Sequence, residues 1–177
     1  MKVKFYSDRF ILRELSANDV TSQYLGWLQD VDAKKYITAA SHTSCLSDLK
    51  QYVCSRIGRE DILFLGIFDK STGLHIGNIK YEPVNSALGF AVMGILIGNP
   101  AFRGKGVATE VLNSSAQWLK THRNIDQILL GVSKYNIKAI RSYEKTGFVI
   151  ADSPYLPISV EEQIIMSWDV PDEIPAK

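Results

Sequence analysis

The stretch "NPAFRGKGVATEVL", Asn99 to Leu112, decides the reading of this chain. Pro100, then Arg103 and two glycines spaced by one residue, lead into a run with helical character. Flexible and basic residues at a helix start suit an anion, because the first N–H groups are unpaired and the helix dipole is positive there. Three anion-binding patterns compete for it. A P-loop needs G-x-x-x-x-G-K-[ST], a spacing this stretch lacks. A dinucleotide fingerprint takes Gly104 and Gly106 but meets Thr109 where the third glycine should stand. Its acid should close the next strand, whereas Asp126 precedes "QILLGVS". The third pattern, R/Q-x-x-G-x-G/A, is matched by Arg103, Gly106 and Ala108.

Working outward, "ALGFAVMGILIG" (87–98) reads as a buried strand, with Gly94 marking a bulge or a close backbone approach. A helix is predicted over about 105–120, with Val107, Val111, Leu112, Ser115 and Trp118 as its inward stripe. "QILLGVS" (127–133) is apolar throughout, as a strand covered on both faces would be. "NIKAIRSYEKTGF" (136–148) predicts a helix stopped by Gly147, with Phe148 opening another strand. A last strand fits "EEQIIMSWDV" (161–170).

Towards the N-terminus, "ILFLGIFD" and "LHIGNIKYEPV" are strands joined by the turn "DKSTG". A helix over 47–58 turns Leu49, Tyr52 or Val53 and the Arg56 stem inward and stops at Gly58. Another over 16–30 starts on Ser16 with Asp19 in a weak capping box, followed by Val20, Tyr24, Trp27 and Leu28 at helical spacing. Phe5 to Leu15 reads as one first strand. This order predicts a single α/β (α+β) domain over 1–177, built on one twisted, mostly antiparallel mixed sheet with helices on both faces.

A length of 177 residues gives one core of ample size without a disulfide or metal staple. Cys45 and Cys54 have no metal-ligand or CxxC spacing, and no His or acidic cluster does either, so no metal is expected. His42 and Cys45 are close only in sequence, which does not make a nucleophilic pair. "MKVKFYSDRF" lacks a signal-peptide core and no apolar run approaches ~20 residues, so a cytoplasmic protein away from membranes is expected. The net charge of +1 argues against a non-specific nucleic-acid binder. The charge is uneven, however: from Arg103 to Lys145, eight Lys and Arg face three Asp and Glu. A solvated helix face and a small polyanion site both explain that, and charge alone does not choose.

The choice comes from a second signature at the expected remove: Asn136, Ala139, Tyr143 and Gly147-Phe148. Together with the Arg103 loop it resembles the GNAT superfamily of acyl-CoA-dependent N-acetyltransferases, notably the branch that acetylates ribosomal-protein N-termini and related amines. "FILRELSANDV" is also typical of that branch. The resemblance implies acetyl-CoA as co-substrate and a central strand splayed at a bulge. Pantetheine would pair with Ile95, Leu96 and Ile97, and one N–H near Ile95 or Leu96 would polarise the thioester carbonyl. It implies a pyrophosphate cradle from Arg103, Gly104, Lys105, Gly106, Val107, Ala108 and Thr109. Asn136 would bond the pantetheine arm or nearby backbone, small Ala139 would let the cofactor lie close, and Tyr143 would protonate the departing thiolate. Residues 1–60 would shape the acceptor side and 61–170 the cofactor core. By family analogy the protein is a monomer or a homodimer through its last strand.

The residues support this independently. Glycines 104 and 106 remove Cβ atoms that would block a pyrophosphate from the helix start. Asn136, Ala139 or Ile140, and Tyr143 share one helix face. A phenol is protonated at neutral pH and can donate one hydrogen bond. The chemistry lacks one part: "LGFAVMGILIG" carries no acid to deprotonate the amine. Glu82 on the preceding strand is the first candidate base and His75 the second. Trp27, Tyr36, Tyr81 and Tyr155 are candidates for the acceptor pocket, with core packing favoured for Trp27. The expected function is acetyl transfer to a protein N-terminus or a small amine such as an amino sugar or polyamine. The missing acid keeps a second reading open, a non-catalytic acyl-CoA sensor.

Overall fold

The expected first strand folds back on itself. Ser7 accepts from the Phe10 N–H through its hydroxyl (3.1 Å) while its own N–H reaches the Phe10 carbonyl (3.0 Å), closing a tight turn. The result is a hairpin of β1 (Lys4–Tyr6) and β2 (Phe10–Glu14). The Ser16–Asp19 box forms, with Asp19 Oδ2 accepting from the Ser16 N–H (2.7 Å) and hydroxyl (2.8 Å). It closes only a 3-10 turn, Ala17–Asp19. Helix α1 (Ser22–Gln29) begins on a separate cap, Thr21, whose hydroxyl accepts from the Tyr24 N–H. Helix α2 (Leu46–Cys54) ends before Gly58, whose φ of +74° closes the turn beyond it.

The remaining elements follow the predicted order: β3 (Leu63–Asp69), β4 (His75–Asn85), β5 (Phe90–Ile97), α3 (Val107–Arg123), β6 (Gln127–Ser133), α4 (Ile137–Thr146), β7 (Val149–Ile150) and β8 (Gln163–Asp169). This computed structural model describes residues 3–30, 44–156 and 162–173; Tyr36 and His42 lie outside them. The sheet runs β1-β2-β3-β4-β5-β6-β8-β7, antiparallel throughout except for β5 against β6.

Strand alternation splits the core into two. Leu65, Ile67, Ile79, Tyr81, Ala91 and Met93 face α3, which buries Val107, Val111, Leu112, Ser115, Ala116 and Leu119 against them. Trp118 is only partly buried and stacks on Phe5 at 5.6 Å. On the other face, Phe64 and Leu96 pack with Tyr24, Trp27 and Leu28 of α1 and Leu49 and Val53 of α2. Each such fully buried aliphatic contributes about 1.5–3 kcal/mol over its exposed state.

The feature that positions the site is a split. The parallel pairing of β5 with β6 covers only Phe90–Val92 against Gln127–Leu129, whereas β4 holds β5 as far as Ile97. The expected bulge at Gly94 is displaced. Gly94 stays in register opposite Lys80, and the irregularity lies on β4 between Tyr81 and Val84. The reason is local: among the described residues a Cβ on Gly94 would meet nothing within 4 Å, so no backbone there crowds it. Close approach occurs instead at Gly77, where a Cβ would stand 2.2 Å from the Leu96 carbonyl oxygen, and at Gly98, where it would enter the Trp27 ring at 2.0 Å.

Candidate active site

Past Val92 the β6-side edge of β5 has no partner strand among the described residues. Successive strand residues present their N–H and C=O groups to opposite edges, so one of Ile95 and Leu96 faces this gap. Backbone donors and acceptors that no described strand takes are the form that pairs with an extended amide-bearing chain.

At the C-terminal end of β5 the chain turns through Pro100–Phe102 and enters α3 at Gly106. Gly104 and Gly106 both take left-handed φ, +71° and +73°, which only glycine adopts without strain. Apart from its chain neighbours, no atom of the described residues lies within 4 Å of where a Gly104 Cβ would be, so the loop is open at this point. The loop is braced from both sides. Arg103 donates from Nε to the Ile97 carbonyl (2.9 Å) and from Nη2 to the Gly98 carbonyl (3.1 Å). Its side chain therefore ties the loop to the end of β5, a use the sequence reading did not anticipate. From the other side Arg9 Nη2 donates to the Lys105 carbonyl (3.1 Å), and Arg9 Nε to Glu110 (2.6 Å). Glu110 also accepts from the Ser7 hydroxyl and the Arg9 N–H, both at 2.7 Å. Burial raises the Glu110 pKa, but these bonds outweigh it and hold the carboxyl below its ordinary value. Sequence reasoning missed the Arg9–Glu110 brace, because about a hundred residues separate its partners.

The Asn136 carboxamide oxygen accepts from the Ala139 N–H at 3.3 Å, so Asn136 caps its own helix. The Gly147 N–H bonds the Tyr143 and Glu144 carbonyls at the left-handed stop, as predicted. Ala139, Ile140 and Tyr143 are partly buried against the same core cluster as Ile95 and Ile97. The Tyr143 ring lies 5.7 Å from Phe148. Burial pushes its phenol up to about 12, so it stays protonated across the physiological range. Its hydroxyl has no hydrogen-bond partner among the described residues.

Neither candidate base is set up as one. Glu82 Oε2 accepts from Lys80 Nζ (2.6 Å) and Arg56 Nε (3.0 Å). Burial raises its pKa, yet those two cations more than offset that and the net is below the ordinary value. Glu82 keeps its charge and is a poor proton acceptor. His75 packs among Phe68 (4.7 Å), Trp27 (5.1 Å) and Tyr24 (5.6 Å), with Nε2 2.9 Å from the Gly77 carbonyl oxygen. Burial lowers its pKa to about 4, the mark of a core histidine. Of the proposed pocket aromatics, Trp27 and Tyr81 are buried in the two cores, and Tyr155 stacks on Phe90 at 4.3 Å. Tyr81 reaches Ser115 of α3 at 2.7 Å, on the face away from α1 and α2.

The chain thus combines a strand edge opened by a split, a glycine-bearing helix start at the end of that strand and a partly buried phenol on α4. The sequence family described as an acetyltransferase (GNAT) domain matches residues 9–149, and the chain belongs to that family. Solved structures repeat the fold over nearly its whole length. RimL, a ribosomal-protein alpha-N acetyltransferase in complex with coenzyme A, superposes with a TM-score of 0.79 at 12% identity, covering 94% of this chain and 97% of that one. The microcin self-immunity acetyltransferase MccE, in complex with acetyl-CoA and AMP, gives 0.77 at 19% identity, with coverage of 92% and 93%. A spermidine N-acetyltransferase chimera from Vibrio cholerae gives 0.75 at 20%, with coverage of 92% and 96%.

Proposed function

We propose that this acetyltransferase takes acetyl-CoA as donor and transfers the acetyl group directly to a primary amine, either a protein N-terminus or a small amine. The observation that carries the reading is the split after Val92, which opens β5 beside the Gly104–Gly106 helix start. In it pantetheine lies along Ile95–Ile97 and the pyrophosphate meets the first N–H groups of α3. The amine nitrogen attacks the thioester carbonyl, whose oxygen accepts from the strand N–H facing the gap. The C–S bond then breaks and Tyr143 donates its proton to the thiolate, regaining one from solvent. With Glu82 held by two cations and His75 in the core, we assign the amine's proton to water at the mouth of the split. Holding both reactants together supplies much of the acceleration.

Relatives of this fold act, by their names, on a ribosomal-protein N-terminus and on spermidine, which supports an amine acceptor without choosing one. The ribosomal-protein branch remains the reading closest to the N-terminal sequence. We place the protein in the cytoplasm, as its two free, exposed thiols, Cys45 and Cys54, suit a reducing compartment. The test is thiol release from acetyl-CoA against a panel of polyamines, amino sugars, aminoglycosides and short peptides, with acetyl-CoA binding followed by calorimetry. Turnover on one class is the expected result. Binding with no turnover on any amine would favour the sensor, and no binding would overturn the site.

A further inference from the structure

One half-buried polar cluster is left unused by the transfer chemistry. Lys80 stands opposite Gly94, and alternation puts it on the α1–α2 face together with Asn78 and Glu82. Lys80 Nζ donates to the Tyr52 hydroxyl (2.7 Å) and to Glu82 (2.6 Å), leaving its third hydrogen unspent. Arg56 stacks on the Tyr52 ring, its guanidinium carbon 3.8 Å from the centroid, and also binds Glu82. Two cations thus share one carboxylate oxygen, and the cluster carries a surplus positive charge where solvent reaches only part of each side chain. Among the described residues, nothing lies within 4 Å of where a Cβ on its neighbour Gly94 would stand, at the start of the split.

Asn78 adds an independent sign. The residue is 7% exposed, and its Nδ2 is buried with no hydrogen-bond acceptor among the described residues. Buried donors are nearly always partnered, so an oxygen is the natural complement of this one.

Resting on the acetyltransferase reading above, we propose that Lys80, Arg56 and Tyr52, with Asn78 beside them, form an acceptor subsite for an anionic oxygen group. The acceptor amine then belongs to a molecule that also carries a carboxylate or a phosphate. Glu82 is a positioning residue that holds the two cations in place. A polycation such as a polyamine meets like charge at this point and is disfavoured.

Matched acceptors test this: L-alanine against L-alaninamide, glucosamine 6-phosphate against glucosamine, and spermidine as the polycation. In at least one pair the charged member should show a kcat/KM about tenfold or more above its neutral partner, carried by KM. Which pair shows it separates the carboxylate from the phosphate. Lys80→Gln should abolish the preference and Lys80→Arg should retain it, both with acetyl-CoA affinity unchanged. Because turnover requires an acceptor of the right shape, binding is read as well. Calorimetry compares N-acetyl-L-alanine with its amide, and glucose 6-phosphate with glucose, on protein with and without coenzyme A. Equal behaviour within both pairs, a preference for spermidine, or discrimination that survives Lys80→Gln would overturn the subsite. Loss of acetyl-CoA binding in the wild-type protein is a separate result and would overturn the acetyltransferase reading instead.

Discussion

The two sides of the split are built on different principles. The cofactor side that we propose is made of backbone: an open strand edge, two left-handed glycines and the first turn of α3. Its side chains brace that backbone, as Arg103 does at the Ile97 and Gly98 carbonyls. The acceptor side that we propose is made of side chains converging from α2, the turn after it and β4, where Tyr52, Arg56, Lys80 and Glu82 bond one another. A backbone site tolerates changes of side chain as long as the chain path survives. A side-chain site keeps its path and changes its preference with a single substitution. That is how one fold serves acceptors of different chemistry.

The largest effect should come where chemistry alone is removed. Tyr143→Phe deletes the hydroxyl and keeps the ring against Phe148. Stopped assays should show kcat lower by about 10²–10⁴-fold, with the acetyl-CoA Kd within about twofold. An equal loss of binding and turnover would assign the phenol to the cofactor side instead. Next in size is Gly77→Ala. Its methyl would stand 2.2 Å from the Leu96 carbonyl oxygen, a backbone atom that cannot swing aside. Forcing β4 and β5 apart should cost about 3 kcal/mol in urea denaturation and damage both sides together.

How much of this was legible in the sequence follows the same division. The glycine loop, the Gly147 stop and β6 were readable because each is a local conformational demand written in neighbouring residues. Element boundaries slipped where local signals compete, as at Ser16, whose box closes a 3-10 turn while Thr21 starts the helix. Gly94 misled because a glycine in a strand marks either crowding or openness, and only the fold tells which. The acceptor cluster was out of reach, since Arg56 and Glu82 meet across 26 positions. The same distance hid what disables Glu82 as a base.

His75 sharpens the comparison through pH. Its folded pKa of about 4 lies below the ordinary 6.5, so the unfolded chain binds a proton between those values and the folded one does not. Stability from this group is therefore complete above pH 6.5 and is lost as the pH falls towards 4, by up to about 3 kcal/mol. In His75→Phe, which keeps an aromatic ring beside Phe68 and Trp27, the urea midpoint should be flatter over that window. If His75 were the base, the wild-type pH–rate profile would also carry its inflection and the variant would lose turnover. The expected profile has no such inflection.

The smallest effect belongs to the brace that joins the N-terminal hairpin to the cofactor loop. Arg9 holds the Lys105 carbonyl and Glu110 while its own surface is about half exposed, so the pair contributes little to global stability. Its consequence is local, because it fixes the loop that presents the α3 N–H groups. Arg9→Ala should weaken acetyl-CoA binding about threefold to tenfold, with less than about 1 kcal/mol change in the urea midpoint. The acceptor KM should not move, because the side-chain hydrogen bonds of Arg9 among the described residues go to Glu110 and Lys105. A shift in acceptor KM alone would mean that the hairpin communicates with the acceptor side, and the two halves of the site would no longer be separable.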